Sequence, residues 1–210
     1  AEFDKRLSES IEKLKELSEK QDKLSESTQE AHTDKEQLKN QQKEIKKEFD
    51  EAKNKLDELQ EKNKNLQEPN ELPDLTKDEQ DIDNDLNNSM ESIEKNDKKG
   101  AGKSQKGAGK KMGGMSQKLQ SSMDGMESAQ NEENLAMLRQ ILENLVRISF
   151  DQEDLMVRTK IINKNDPKYL KLIQDQNNLK DDLSSVEDSL YELGKREMMI
   201  KPFILREISL

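Results

Sequence analysis

An all-α fold, with long coiled-coil hairpin helices leading into a C-terminal antiparallel helical bundle, is predicted by three features of the sequence. Apolar residues recur at steps of three and four along most of the chain and never alternate, which is the helical period and not that of a strand. Hydrophobic residues make up only 30% of the chain against 39% charged, and aromatic residues 3%. An ordinary globular interior built on large rings is therefore excluded, and narrow apolar seams between helices remain. Disorder would fit the polarity, but a disordered chain has no reason to keep a regular apolar spacing.

The first periodic run is Leu7, Ile11, Leu14, Leu17 and Leu24, with polar residues between. After a polar stretch from Thr28 to Lys35, the stripe resumes as Leu38, Gln42, Ile45, Phe49, Ala52, Leu56, Leu59, Asn63 and Leu66 without a slip. Such strict heptads predict a coiled coil. One helix over about 4–67 is expected, about 90 Å long, stopped by Pro69 and Pro73, which lack the amide hydrogen. Asp74 can cap a second helix over about 74–97, with Leu75, Ile82, Leu86, Met90 and Ile93 as its stripe. The short connection makes the two antiparallel neighbours, and residues 1–97 form a region of acidic coiled-coil arms.

Residues 98–118 break that composition, with seven Lys, no acid and six of the eight Gly of the chain. Basic residues number 17 against 29 acids before this segment and 12 against 17 after it. KGAGK begins at Lys99 and again at Lys106, yet Ala101, Ala108, Met112, Met115, Leu119, Met123 and Met126 still keep three-four steps. Residues 98–130 therefore read as a heptad helix weakened by glycine, or a linker. In a helix interior, replacing Gly100, Gly102, Gly107 and Gly109 with Ala would add up to about 1 kcal/mol each.

The region 131–210 is the most apolar, and helices are expected over about 131–163 and 167–201. Leu135, Leu138, Ile141, Leu142, Leu145, Val146, Ile148 and Leu155 form a stripe wide enough to bury against more than one neighbour. Leu142 and Leu145 are expected in its core. Asp166 and Pro167 supply a cap and a first-turn proline for the last helix.

Motifs that would signal catalysis or ligand binding fail at the residues that matter. GKS at Gly102 to Ser104 ends like a phosphate-binding loop, but the position needing the first glycine is Asp97 and no strand precedes it. The run from Asp81 to Ser92 imitates a calcium loop, but Leu86 replaces the turn glycine and Ser92 the bidentate acid. His32 is the sole histidine and cysteine is absent, so no base-nucleophile pair or thiolate metal site can be assembled. The chain is not expected to be an enzyme and no cofactor is implied.

Two interaction surfaces are candidates. For a protein partner, the residues are Leu138, Ile141, Leu142, Leu145, Ile148, Phe150, Leu155 and Met156. For a polyanion such as nucleic acid or anionic lipid, they are Lys98, Lys99, Lys103, Lys106, Lys110, Lys111 and Lys118. No aromatic interleaves these lysines, so bases have no stacking platform and nucleic acid is not expected. The nearest anionic partner is the acidic helices of the same chain. Homo-oligomers are compatible with the heptads, which suit an internal hairpin or a dimer equally.

The segments LRQILENLVRISFDQEDLM, from Leu138 to Met156, and NDPKYLKLIQDQNNLKDDLSSVEDSLYELGKRE, from Asn165 to Glu197, resemble the C-terminal helical region of a family of large membrane-anchored envelope proteins of Bacteroidota. The resemblance is closest over about 135–205 and compositional before that; the KGAGK repeats depart from it, since alanine and glutamine would be expected there. It implies a periplasmic segment of an inner-membrane protein, with protein partners in the cell envelope and membrane contact only through parts outside this segment. It brings no catalytic residues. The chain begins Ala1, Glu2, Phe3, which suggests a piece of a larger protein.

Overall fold

The computed structural model describes residues 2–30 and 34–196, and 89% of these are helical, with no strand among them. The fold is all-α, and the described residues form five helices: α1 Glu2–Gln29, α2 Lys35–Lys64, α3 Thr76–Glu94, α4 Lys98–Ile161 and α5 Lys168–Arg196. The chain divides into two compact units, Ala1–Glu127 and Ser128–Leu210. The boundary thus lies at 127/128, not at 97/98 and 130/131.

In the first unit, the single helix expected over 4–67 is two helices. The reversal falls in the polar stretch, where Asp34, in an extended conformation, accepts the Glu36 amide at 3.1 Å and so satisfies one of the donors a new helix leaves open. α1 returns along α2: Lys13 and Lys20 both reach the Glu48 carboxylate, at 2.5 and 2.9 Å. Partial burial pushes the Glu48 carboxyl up, but the two ammonium groups outweigh it and leave the group below its ordinary range.

The second reversal is built as expected. Asn63 and Asn70 exchange hydrogen bonds across the turn, at 2.8 Å each, and the Asp74 carboxylate accepts both the amide and the hydroxyl of Thr76. α3 then runs antiparallel to α2, fixed by Lys53–Asp83 at 2.6 Å and Lys39–Glu94 at 3.0 Å. Only Lys95, Asn96 and Asp97 separate α3 from α4. Asn96 adopts φ 59°, the left-handed conformation that ends helices and that Asn tolerates better than most residues. Asp97 accepts the Gly100 amide at 2.9 Å.

The lysine- and glycine-rich stretch is therefore no linker: it is the fourth helix of an antiparallel four-helix bundle. Each KGAGK repeat divides its three small residues by direction. Ala101 and Ala108 are fully buried in the core. Gly102 and Gly109 lie against α1, whose Ser25 and Ser18 hydroxyls donate to their carbonyls at 2.8 and 2.7 Å. Gly107 lies over Asp85 of α3 and Gly100 over Asp97 at the start of α4; a Cβ on either would meet the far end of a carboxylate that can turn aside. All four glycines keep ordinary helical φ, and of the four only Gly109, where a Cβ would come 3.2 Å from the Ser18 carbonyl oxygen, has a neighbouring backbone that opposes alanine.

The core reads as layers of one residue per helix. Gln21, Gln42, Ser89 and Gln105 form a buried polar layer, in which Gln42 Oε1 accepts from all three others at 2.8 to 3.1 Å. In the same register, one step away on either side lie Leu24, Leu38, Ile93 and Ala101, and Leu17, Ile45, Leu86 and Ala108, all buried. Phe49, Leu14, Ile82 and Met112 follow with 0% exposure. Small residues on α4 thus face large ones on its neighbours, which fills the layers evenly.

The second unit is a two-helix hairpin of α4, from Ser128, and α5. The Asp166 carboxylate accepts the Lys168 amide at 2.9 Å, with Pro167 in the first turn. One seam joins the helices, with Ile141, Ile148 and Leu155 against Leu172, Leu179, Val186 and Leu193. Arg147–Asp182 at 2.9 Å, Arg196–Glu133 at 2.7 Å and a reciprocal Gln152–Gln176 amide pair keep the antiparallel register. α5 is described to Arg196, and the expected extension to about 201 lies outside the described residues.

Candidate interaction surface

The two units treat their hydrophobic residues differently. Among the described residues of the first unit, Leu66 is the one large hydrophobic left exposed. Among its described residues the second exposes twelve, eight on α4 and four on α5. Scattered single apolar residues on a surface need no explanation, whereas apolar residues grouped on one helix face make a candidate interaction surface.

The eight residues expected to bind a partner separate into two groups. Ile141, Ile148 and Leu155 are buried in the hairpin seam, and Leu145 is half-buried beside it. Leu138, Leu142, Phe150 and Met156 face outward. Leu142, expected in the core, is 61% exposed and Phe150 67%. The stripe has the width for two neighbours, as expected, but the hairpin supplies one.

Four exposed residues of α4 complete the outer face and are absent from that set: Leu135, Val146, Val157 and Ile161. Their signal lies in the i, i+4 row Leu138, Leu142, Val146, Phe150, which runs obliquely across the helix instead of following the seam. Beside it runs a charged row, Arg139, Glu143, Arg147, Asp151, also exposed. A shallow cleft of about 520 Å³ follows both rows, lined by Leu142, Val146 and Phe150 with Glu143, Arg147 and Asp151. A second cleft, of about 410 Å³, runs between the helices past Leu145, Ser149, Lys180 and Leu183.

The seven lysines also divide. Lys111 pairs with Asp85 at 2.8 Å, Lys118 with Asp78 at 2.7 Å, and Lys98 donates to the Glu30 carbonyl at 2.9 Å. Their partners are two carboxylates and a backbone carbonyl of the same unit. Lys99, Lys103, Lys106 and Lys110 are exposed and form no ion pair among the described residues. Their spacing of four, three and four puts them on one outward stripe of α4.

Among the described residues no group of three or more His, Cys, Asp or Glu could hold a metal ion. His32 lies outside the described residues. No described helix is long and apolar enough to cross a membrane. No protein-family model, curated protein or solved structure matches the chain.

Proposed function

We propose that this chain is a structural and interaction module, a coiled-coil scaffold segment of a membrane-anchored bacterial envelope protein, and that it works by docking a protein on the outer face of the second unit. The observation that carries this reading is the exposed apolar row on α4. The first unit closes its own core, whereas the second leaves a face of Leu, Val and Phe uncovered, at a cost in water that burial against another protein would remove. Nothing in this role calls for catalysis. The family resemblance of the C-terminal third supports the envelope location.

The test is retention of partners from envelope membranes by the tagged full chain and by Leu142→Asp/Phe150→Asp. Both positions are exposed, so helicity and melting temperature should be preserved. Proteins that bind the parent chain should be lost from the double variant; if every one of them is retained, docking lies elsewhere.

A second reading draws on the outward stripe Lys99, Lys103, Lys106 and Lys110, which no acid of the unit neutralises. It is a site for an anionic polymer or lipid surface, weakened by salt. Replacing all four with Gln should abolish binding to phosphatidylserine vesicles at low salt; unchanged binding removes this reading.

A further inference from the structure

We propose that the protein docked on the outer face of the second unit is a second copy of this chain, paired antiparallel through α4 about a two-fold axis near Leu145. This rests on the docking reading above and specifies its partner.

A two-fold interface brings one patch against itself, so the patch must be complementary to its own rotated image. Most of this surface fails that condition, because the chain carries a net charge of −10 and copies repel one another. The charged row on α4 is different: Arg139, Glu143, Arg147 and Asp151 sum to zero and follow one another by four residues. An antiparallel two-fold axis places residue i of one copy level with residue 290 − i of the other when it passes at residue 145. Glu143 then meets Arg147 of the second copy, and Arg139 meets its Asp151, each twice. Moving the axis two residues toward either terminus sets Glu143 against Glu143 or Arg147 against Arg147, and moving it four leaves one kind of opposite-charge pairing where this register makes two, so the charges favour this register.

The apolar row obeys the same operation. In that register Leu142 falls between Val146 and Phe150 of the second copy, and Val146 between its Leu142 and Val146. This is the interdigitation that rows of period four make when two helices pack. Residue 129 falls level with residue 161, so the contact spans the α4 portion of the second unit. Arg139 and Glu143 form no ion pair among the described residues and are exposed; Arg147, paired with Asp182 at 2.9 Å, and Asp151, 3.9 Å from Arg147, stay more than half exposed, so each can take a second partner from another chain.

The mass of the full chain by light scattering at tens of micromolar tests this, together with matched charge variants. The parent chain should show twice 24.3 kDa. Arg139→Glu, at an exposed position, should bring it to the single mass with unchanged helicity. Adding Asp151→Arg in the same chain should restore the doubled mass, because the swapped charges again meet opposite charges while the Arg147–Asp182 pair of the hairpin stays in place. A Val146→Cys variant, in a chain with no other cysteine, should cross-link to itself on mild oxidation, whereas Leu135→Cys should not.

A parent chain of single mass that still loses its envelope partners on Leu142→Asp/Phe150→Asp overturns self-pairing and leaves the docking reading standing. Cross-linking at both cysteine positions means parallel pairing and overturns the proposed axis, as does a double charge variant that stays at the single mass.

Discussion

The Ser18 hydroxyl lies 2.7 Å from the Gly109 carbonyl oxygen, a side chain of α1 fastened to the backbone of α4. Such contact requires the two helices to be closer than leucine seams allow, and it makes glycine a packing residue here. A Cβ on Gly109 would stand 3.2 Å from the Ser18 carbonyl oxygen and 2.7 Å from Asp22 Oδ1. The carboxylate can turn aside; the backbone carbonyl cannot without moving the helix. Gly109→Ala should therefore destabilise the first unit by about 1–3 kcal/mol. Gly114→Ala and Gly125→Ala, with nothing within 4 Å of the added atom, should each stabilise by up to about 1 kcal/mol. Urea titrations of the three variants check this, and equal gains at all three would contradict close packing at Gly109.

The buried polar layer should respond asymmetrically. Gln42→Leu strips Gln21, Ser89 and Gln105 of their shared acceptor and should cost about 1–3 kcal/mol. Replacing Gln21, Gln42 and Gln105 by Leu with Ser89→Ala removes every polar group at once and should raise the melting temperature above that of Gln42→Leu. The fourfold variant should also lose spectral dispersion in its amide NMR signals, since nothing then fixes the register at this level.

Substitutions in the second unit should sort by face. Leu155→Ala, 3% exposed, should cost about 2–4 kcal/mol. Leu142→Ala should cost less than about 0.5 kcal/mol, as surface changes do. Chemical denaturation dilute enough to keep the chain monomeric separates them, and a large loss at Leu142 would mean that its face is covered within the monomer.

Glu79 supplies a pH test. Burial raises its carboxyl above the ordinary range, with the nearby Asp57 adding to the effect. The unfolded chain therefore ionises this group at lower pH than the folded one, and the folded state is penalised once pH climbs past the ordinary carboxylate value. Glu79→Gln should raise the melting temperature at pH 7, and the advantage should vanish as pH falls below the carboxylate range. An advantage that grew toward acid would reverse the assignment.

The seams were legible in the sequence because most core positions in α1, α2 and α3 are large aliphatics or Phe at heptad steps, interrupted by few polar residues such as Gln21, Gln42 and Ser89. The turn at Asp34 was not. Leu24 and Leu38 lie fourteen residues apart, two whole heptads, so the stripe crosses the reversal in phase and imitates one continuous helix. The cap that betrays it, Asp34 with Gln37 three residues on, is a capping-box pattern easily lost among so many polar residues. At Gly109 glycine misled for a related reason: propensity describes an isolated helix, whereas this residue answers to the backbone of a neighbour. In the last third, stripe width was legible, but counting the neighbours that cover it required the structure, and so Leu142 moved from core to surface.

The serine-to-carbonyl contacts join residues 91 and 77 positions apart, tying the first helix of the four-helix unit to its last. A chain so closed has no end from which to fray. Peeling α1 away would uncover the α4 backbone as well as the leucine seam. Native-state hydrogen exchange should then find one common opening energy for the buried amides of all four helices, and the hairpin beyond Glu127, held by a single seam, should yield to a protease first.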